Sequence, residues 1–209
     1  MALVADNTAP MFDDLLRARL ASIAAPAARR CVSAGVTPTM LTRGGVMVGI
    51  AAAVAVACDQ RPLAAVLWLV NRLMDGLDGL AARETGQASA LGGFWDITLD
   101  MVSYSGMILG FAIAYPHHGV LWPSVLAGYI LAITTTLALS AAADRLSRTV
   151  APGNRTFQFT RGLAESGETT IVYLAWLAWP AWIGPIGWAW CGLLLASAIQ
   201  RAWLAQRSL

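Results

Sequence analysis

The sequence predicts an all-α, polytopic membrane protein with six transmembrane helices and an N-terminal amphipathic surface helix. Of its 209 residues, 57% are hydrophobic and only 12% are charged, whereas an ordinary soluble domain has about 25% charged residues. The mean hydropathy is +0.60, and the apolar residues come in runs long enough to cross a bilayer. This composition excludes a nucleic-acid-binding protein, a disordered tail and most soluble enzymes.

The few charged residues are uneven in type. All 14 basic residues are arginines, and the formal net charge of +2 is too small to indicate a polyanionic partner. The three cysteines, Cys31, Cys58 and Cys191, lack the spacing of metal ligands. We interpret them as small apolar side chains rather than as a disulfide framework or a zinc site.

Residues 1–37 are expected to form a cytoplasmic N-terminal segment, and residues 38–209 one six-span domain. The segment is polar or amphipathic and precedes the first apolar run, whereas a secretory leader has its apolar run near the start. The spans themselves are therefore expected to direct insertion. Residues 11–30 place their apolar side chains near one face and carry arginines at the end. This pattern predicts an amphipathic helix on the membrane surface, with a frayed polar tail as the alternative.

Four spans are predicted before the longest polar stretch. Their ranges are 38–58, 63–83, 92–115 and 120–143. The second span is apolar at its start and polar at its end, whereas the third is polar at its start and apolar afterwards. Each range is long enough for a helix that crosses a bilayer.

Two further spans are predicted after the polar stretch 144–168. Residues 169–200 carry no charge, and a cluster of prolines and glycines divides them into spans five and six. The cluster consists of Pro180, Gly184, Pro185 and Gly187. The tryptophans around this turn are expected to form an aromatic belt at the outer interface. They are Trp176, Trp179, Trp182, Trp188 and Trp190.

The distribution of arginines predicts the orientation. With six spans and a cytoplasmic N-terminus, eleven arginines fall in cytoplasmic segments and only Arg61 falls in an outer turn. The eleven are Arg17, Arg19, Arg29, Arg30, Arg83, Arg145, Arg148, Arg155, Arg161, Arg201 and Arg207. This arrangement satisfies the positive-inside rule. The polar halves of spans two and three are therefore expected to face the cytoplasm.

Four aspartates within spans two and three need a physical reason, because an unpaired carboxylate inside a membrane is costly. Asp75 and Asp78 are three residues apart, and Asp96 and Asp100 are four apart, so each pair shares one helical face. The short loop 84–91 makes the two spans antiparallel neighbours. The spacing therefore predicts that the four carboxylates converge at one depth.

Two divalent cations would neutralise these carboxylates, since Arg83 and Arg72 are the only cations available nearby. Oxygen-only ligands favour Mg²⁺ or Mn²⁺. Two such metal ions held by carboxylates are typical of phosphoryl-transfer enzymes. Gly79, Ala82 and Gly92 leave room for a flat base or a diphosphate. The alternatives are a purely structural ion-pair network and a cation or proton-coupled transporter with aspartates along its path.

The same residues resemble the signature of the CDP-alcohol phosphotransferase family. The stretch from Asp75 to Asp100 matches D-x-x-D-G-x-x-A-R, eight residues, and then G-x-x-x-D-x-x-x-D. The fixed positions are Asp75, Asp78, Gly79, Ala82, Arg83, Gly92, Asp96 and Asp100. The stretch 37–42, TPTMLT, is similar to the T-P-N-x-L-T entry of the family, with Thr39 in place of Asn. Residues 162–168 resemble a G-L-x-E-x-x-E stretch of some members.

The resemblance implies roles for individual residues. Asp75, Asp78 and Asp96 would ligate two Mg²⁺ or Mn²⁺ ions, and Asp100 would complete the metal site and act as general base. The CDP moiety would be bordered by Pro38, Thr39, Met40, Leu41, Gly79, Ala82, Arg83, Ser89 and Gly92. A phosphate on the acceptor would be bound by Arg155 and Arg161, although a basic loop is also what membrane orientation alone requires.

The implied reaction is transfer of a phosphatidyl group from CDP-diacylglycerol to a hydroxyl acceptor such as inositol phosphate or glycerol 3-phosphate, with release of CMP. Transfer of a CDP-activated headgroup to diacylglycerol is an alternative, because both reactions share the signature. The compact length favours the first. The resemblance also implies a homodimer in contact with membrane lipids, placed in a bacterial inner membrane with its active site facing the cytoplasm.

Overall fold

The structure is a computed structural model that describes residues 25–146 and 166–208, and these ranges contain helices and no strands. Residues 25–33 are helical. The helices that follow are α1 Pro38–Ala57, α2 Arg61–Glu84, α3 Ala90–Ala114, α4 Leu121–Arg145, α5 Ser166–Ala178 and α6 Ile183–Ser208. Short 3₁₀ turns cover Pro116–His118 and Pro180–Trp182. The all-α prediction is confirmed.

Local sequence signals explain where α1 and α3 begin. The Thr37 side chain accepts a hydrogen bond from the Met40 amide at 3.2 Å, and Pro38 occupies the first turn, where its missing N–H is harmless. Ser89 caps α3 in the same way through the Gly92 amide at 3.1 Å. Between α2 and α3, Gly86 has a φ of +66°, a conformation that glycine adopts without steric cost.

Helices α1, α2 and α3 pack closely because small residues lie at their contacts. A Cβ added to Gly110 of α3 would overlap the Ala53 carbonyl oxygen of α1. A Cβ on Gly49 would lie 2.6 Å from the Ser103 hydroxyl. The backbones of these helices therefore approach each other closely, as in other membrane helix packings.

The remaining helices pack through larger side chains. Helix α4 packs against α6, and α5 contacts α2 and α6. Their shared core is rich in buried aromatic residues, including Trp68, Tyr104, Phe111, Trp122, Tyr129, Tyr173, Trp176 and Trp190. Hydrogen bonds join three of these rings: the Tyr129 and Tyr173 hydroxyls lie 3.0 Å apart, and the Trp190 indole donates to Tyr129 at 3.1 Å. The aromatic core thus connects the two groups of helices.

The tryptophan belt is only partly as expected. Trp179, Trp182 and Trp188 are 63%, 60% and 53% exposed, whereas Trp176 and Trp190 are fully buried in the aromatic core. These two lie on the inward faces of α5 and α6. The prediction was wrong for them, because a cluster in the sequence does not reveal which face of a helix each residue occupies.

The break between the last two helices is shorter than predicted. It lies at Trp179–Trp182, while Gly184, Pro185 and Gly187 belong to the first turns of α6. Proline is compatible with a first turn because its nitrogen would lack an intrahelical acceptor there. The final helix also continues to Ser208, beyond the predicted end of span six.

Four described helices are long and apolar enough to cross a membrane: Pro38–Ala57, Ala90–Ala114, Leu121–Arg145 and Pro180–Arg207. Helix α2 has sufficient length but carries the charged residues of the signature, and 13 residues of α5 lie within the described part of the chain. Six spans therefore stay a prediction.

The helical residues 25–33 pack on the ends of α1 and α2. Ala28 is fully buried against Leu77 and Ala81, and the Arg29 guanidinium donates to Glu84 at 3.0 Å. Residues 11–24 of the predicted amphipathic helix lie outside the described residues. The described stretch lies beside the turn of α2 that carries the signature.

Candidate active site

Three predicted carboxylates meet at the facing ends of α2 and α3. Asp75 and Asp78 lie one turn apart on α2, and Asp96 lies on the second turn of α3. One carboxylate oxygen from each lies within 4.8 Å of the other two. Asp78 is 5% exposed, Asp75 is half-buried and Asp96 is exposed. The acidic group therefore extends from the protein interior to its surface.

Asp100 borders the same place but has a different partner. All four aspartates line a small cavity of about 10 Å³ between α1, α2 and α3. The Asp100 carboxylate accepts a hydrogen bond from Arg72 at 2.7 Å, and it lies outside the group of three. The four predicted residues are thus brought together, with Asp100 as one member of an ion pair.

Arg72 is a site residue that the spacing argument did not assign a role. It also lies 3.6 Å from an Asp75 oxygen, and it donates to the Tyr104 hydroxyl and the Asn71 side chain, each at 2.8 Å. The sequence could have indicated this role, because Arg72 lies one turn before Asp75 and residues three apart share a helical face. Arg83, the other cation considered, is exposed at the end of α2.

Thr42 is a second residue without an assigned role. Its hydroxyl donates to Asp78 at 2.7 Å, so the stretch 37–42 caps α1 with Thr37 and orients a carboxylate with Thr42. A hydrogen bond of this kind fixes the direction in which a metal-ligating carboxylate points. The signal was the threonine that ends the TPTMLT stretch.

A second cavity, of about 1030 Å³, adjoins the aspartates. Seven of the residues expected around the nucleotide line it: Pro38, Thr39, Gly79, Ala82, Arg83, Ser89 and Gly92. Leu41 is buried and lines the small cavity, while Met40 is 59% exposed. The predicted nucleotide residues therefore surround one space, except for these two.

Gly79 lies beside the Arg83 side chain, and an added Cβ would make ordinary van der Waals contact with it. A Cβ at Gly79 would lie 3.4 Å from an Arg83 guanidinium nitrogen. The Ser89 hydroxyl already serves as the cap of α3, so any ligand contact would be additional to this structural role.

The opposite wall of the large cavity comes from α4, α5 and α6. It includes Tyr129, Thr136, Thr169 and Arg201. Arg201 is buried at 6% exposure, and its guanidinium donates to the Ala132 carbonyl at 3.3 Å. Sequence reasoning counted Arg201 among the cytoplasmic arginines, and its apolar flanks gave only a weak signal of burial. Arg155 and Arg161, the predicted phosphate ligands, lie outside the described residues.

The acidic group fits Mg²⁺ or Mn²⁺. Its three donors are all carboxylate oxygens, and among the described residues no His or Cys joins them. Donors of this kind suit hard divalent cations rather than zinc. Asp100 supplies a fourth carboxylate at the edge of the same cavity.

A group of carboxylates beside a large cavity suits metal-assisted phosphoryl transfer, and comparison with known proteins identifies the class of this protein. Residues 35–199 match the model of the CDP-alcohol phosphatidyltransferase family, and the chain belongs to this family. The chain is thus an integral membrane enzyme that transfers substituted phosphate groups. The family assignment favours the enzyme over the transporter considered from the sequence.

Individual relatives agree with this class. The chain is 34% identical to the inner membrane protein YnjF of Escherichia coli (strain K12), over 91% of this chain and 100% of that protein. It is 36% identical to the archaetidylinositol phosphate synthase of Pyrococcus horikoshii, over 39% of this chain and 43% of that protein.

Solved structures share the fold. The phosphatidylinositol phosphate synthase of Mycobacterium tuberculosis in complex with manganese and citrate has a TM-score of 0.71 and 21% identity, over 88% of this chain and 90% of that one. The same enzyme with CDP-DAG bound has a TM-score of 0.68 and 22% identity, over 90% and 95%.

Proposed function

We propose that this enzyme transfers a phosphatidyl group from CDP-diacylglycerol to a hydroxyl acceptor and releases CMP. The observation that carries the proposal is the junction of two spaces: the aspartate-lined cavity opens beside a cavity large enough for a nucleotide and an acceptor. The structure of the mycobacterial relative with CDP-DAG supports the choice of donor. The same signature would also serve headgroup transfer to diacylglycerol, which is the alternative.

Asp75, Asp78 and Asp96 would hold the metal ions, with Asp100 completing the site. Mg²⁺ or Mn²⁺ ions bound there would supply positive charge to a diphosphate. Manganese in the mycobacterial relative supports this assignment. Thr42 would keep the Asp78 carboxylate in one orientation through its 2.7 Å hydrogen bond.

Asp100 would act as general base. The acceptor hydroxyl gives its proton to an Asp100 oxygen while its own oxygen forms a bond to the phosphorus attached to diacylglycerol. The bond between that phosphorus and the oxygen of CMP breaks, and CMP leaves with the electron pair. Arg72, which donates to Asp100 at 2.7 Å, would hold the base in place.

The nucleotide would occupy the side of the large cavity formed by α1, α2 and α3. Pro38 and Thr39 would border it at the start of α1, and Gly79, Ala82, Ser89 and Gly92 would leave it space. Leu41, on the small cavity, and Met40, which is exposed, would approach the nucleotide only from outside this wall. Arg83, which is exposed beside Gly79, would place a cation near the diphosphate. Arginine suits this role because its fork of donors matches phosphate oxygens.

The acceptor would occupy the opposite side of the cavity and carry a phosphate. Arg201 supports this proposal, because a buried arginine on a cavity wall supplies a desolvated cation. Thr136 and Thr169 add hydroxyls nearby. Arg155 and Arg161 remain predicted partners of the same phosphate. The similarity to the mycobacterial phosphatidylinositol phosphate synthase and the archaeal archaetidylinositol phosphate synthase favours a phosphorylated polyol.

The enzyme would span the membrane six times as a homodimer. Helices α2 and α5 would add two spans to the four that are apolar enough by themselves. The positive-inside rule places the aspartates at the cytoplasmic side, and the E. coli relative is named as an inner membrane protein. Both points support a bacterial inner membrane location with the active site facing the cytoplasm.

The test uses purified protein in vesicles with CDP-diacylglycerol, Mn²⁺ and a panel of acceptors: inositol phosphate, glycerol 3-phosphate, inositol, glycerol and serine. We expect CMP release with a phosphorylated acceptor and formation of the matching lipid. CMP release from a CDP-alcohol plus diacylglycerol would instead identify headgroup transfer. Absence of CMP with every pair of substrates, together with cation uptake into the vesicles, would overturn the proposal.

A further inference from the structure

The Arg72 side chain is fixed by more contacts than a simple counter-charge needs. Its Nη2 donates to Asp100 at 2.7 Å, its Nη1 to the Tyr104 hydroxyl at 2.8 Å, and its Nε to Asn71 at 2.8 Å. The Asn71 amide donates in turn to the Gly45 carbonyl at 2.8 Å. Each of the three guanidinium nitrogens therefore has a partner, and the partners come from α2 and α3.

Two aromatic rings complete this arrangement. The central guanidinium carbon lies 4.8 Å from the centroid of Trp68 and 4.9 Å from that of Tyr104. The Arg72 side chain is 11% exposed, and both rings belong to the buried aromatic core. Cation–π contacts of this kind strengthen as water is excluded. The planar fork thus has one orientation, which lysine could not reproduce.

Arg72 pairs with Asp100, which lies outside the group formed by the other three aspartates. Asp100 lies 2.7 Å from the guanidinium, whereas Asp75, Asp78 and Asp96 form the compact acidic group. A fixed positive charge 3.6 Å from an Asp75 oxygen also opposes any cation bound by that carboxylate. Arg72 therefore acts on both the base and the metal ligands of the proposed site.

We propose that Arg72 is a positioning residue that holds the Asp100 carboxylate for proton transfer and keeps it from joining the three metal-binding aspartates fully. This proposal rests on the proposed function. Loss of Arg72 would free Asp100 to serve as a stronger metal ligand and would remove a repulsive charge. Metal binding would then tighten while turnover falls, a pair of effects that a purely structural arginine would not produce.

The experiment compares Arg72→Met and Arg72→Lys with the wild-type protein. Mn²⁺ binding is measured by electron paramagnetic resonance of the free ion, without substrates, and kcat is measured by CMP release. We expect Arg72→Met to bind Mn²⁺ about tenfold more tightly and to lose about 100-fold in kcat, as displaced catalytic groups do. Arg72→Lys should keep near-normal Mn²⁺ affinity, because it keeps the charge, yet lose kcat because it loses the fork.

Arg61→Met is the matched control, since Arg61 lies at the other end of α2 and pairs with Asp59. It should change neither Mn²⁺ affinity nor kcat. Tyr104→Phe removes one acceptor of Arg72 and tests the proposal even where Arg72→Met fails to fold. It should lower kcat severalfold without weakening Mn²⁺ binding.

Two results would overturn the role of Arg72. One is weaker Mn²⁺ binding in Arg72→Met and Tyr104→Phe, in step with lost thermal stability, which would indicate a structural role. The other is unchanged kcat in Arg72→Lys. Neither result would contradict the proposed function. The proposed function is contradicted only if the wild-type protein itself releases no CMP.

Discussion

The N-terminal and C-terminal halves of the bundle, residues 38–114 and 121–208, differ in where their charges lie. The N-terminal half has Arg72 and the four aspartates around one small cavity. Among the described residues of the C-terminal half, Arg201 is the buried charge. The residues that we propose for catalysis therefore lie in the N-terminal half, and the cavity wall that we propose for the acceptor lies in the C-terminal half.

The two halves also differ in how closely their helices approach each other at glycine residues. Gly110 brings α3 against the backbone of α1, with the Ala53 carbonyl oxygen as its nearest neighbour. Gly128 of α4 instead faces the Leu194 side chain of α6. A side chain added at Gly110 would meet backbone atoms, which a rotamer change cannot move. The closest atom to a side chain added at Gly128 is a Leu194 methyl carbon, with the Leu194 Cβ at 3.1 Å. The two glycines therefore differ in how a larger residue could be accommodated.

Asp100→Asn should cause the largest loss, because it removes the proposed base from the N-terminal half. We expect kcat for CMP release to fall about 1,000-fold, within the range typical of general base catalysis. Asp59→Asn, at the far end of the bundle beside Arg61, should retain wild-type activity. Equal activity of Asp100→Asn and wild type would remove Asp100 from the mechanism.

Arg201→Gln should weaken binding of the acceptor and leave binding of the donor unchanged. We expect the KM for a phosphorylated acceptor to rise about 10- to 100-fold, as loss of hydrogen bonds to a charged group predicts, with the KM for CDP-diacylglycerol nearly unchanged. Arg207→Gln is the control, because Arg207 lies on the same helix over Trp203. A rise in the donor KM alone would contradict the assignment of the C-terminal half to the acceptor.

Gly110→Ala and Gly128→Ala compare the two kinds of packing directly. The first should lower the free energy of unfolding by about 2 kcal/mol, because backbone atoms must move. The second should lower it by less, because the closest atom is a Leu194 methyl carbon that can move and the Leu194 Cβ at 3.1 Å requires only a small shift. Gly192→Ala is the control, since nothing lies within 4 Å of its added Cβ. Chemical unfolding in detergent measures all three, and a larger loss for Gly128→Ala would reverse the comparison.

Thr42→Val should have the smallest effect of the series. It removes the hydroxyl that orients Asp78 while preserving shape, and we expect Mn²⁺ to bind about tenfold more weakly, as for other groups that support a metal ligand. Thr135→Val removes a hydroxyl that bonds only within its own helix and should leave Mn²⁺ binding intact. Unchanged affinity in both variants would exclude a role for Thr42 in the metal site.

The two halves also differ in what sequence could predict. Fixed spacing along α2 and α3 sufficed to bring Asp75, Asp78 and Asp96 to one place, because both helices are continuous and joined by a short loop. The partner of Asp100 could not be derived, since a sequence separation of 28 between Arg72 and Asp100 leaves the relative rotation of the helices open. Rotation is set by packing at Gly49, Gly110 and their neighbours.

In the C-terminal half, the composition of the sequence predicts helices, but no motif of fixed spacing predicts which side chains are buried. Trp176 and Trp179 are three residues apart, yet the first is fully buried and the second is 63% exposed. Arg201 was counted for its charge, and its place on the cavity wall depends on how α6 packs against α4. Residues 147–165, including Arg155 and Arg161, lie outside the described part of the chain, so their proposed role rests on sequence alone.

The central claim is that an acceptor hydroxyl attacks the phosphorus attached to the lipid. It is tested most directly by supplying CDP-diacylglycerol and an acceptor whose reacting hydroxyl carries ¹⁸O, followed by mass spectrometry of both products. We expect the ¹⁸O in the new phospholipid and none in CMP, formed in equal amounts. An unlabelled phospholipid, or label in CMP, would contradict the proposed bond formation and the role of Asp100 in it.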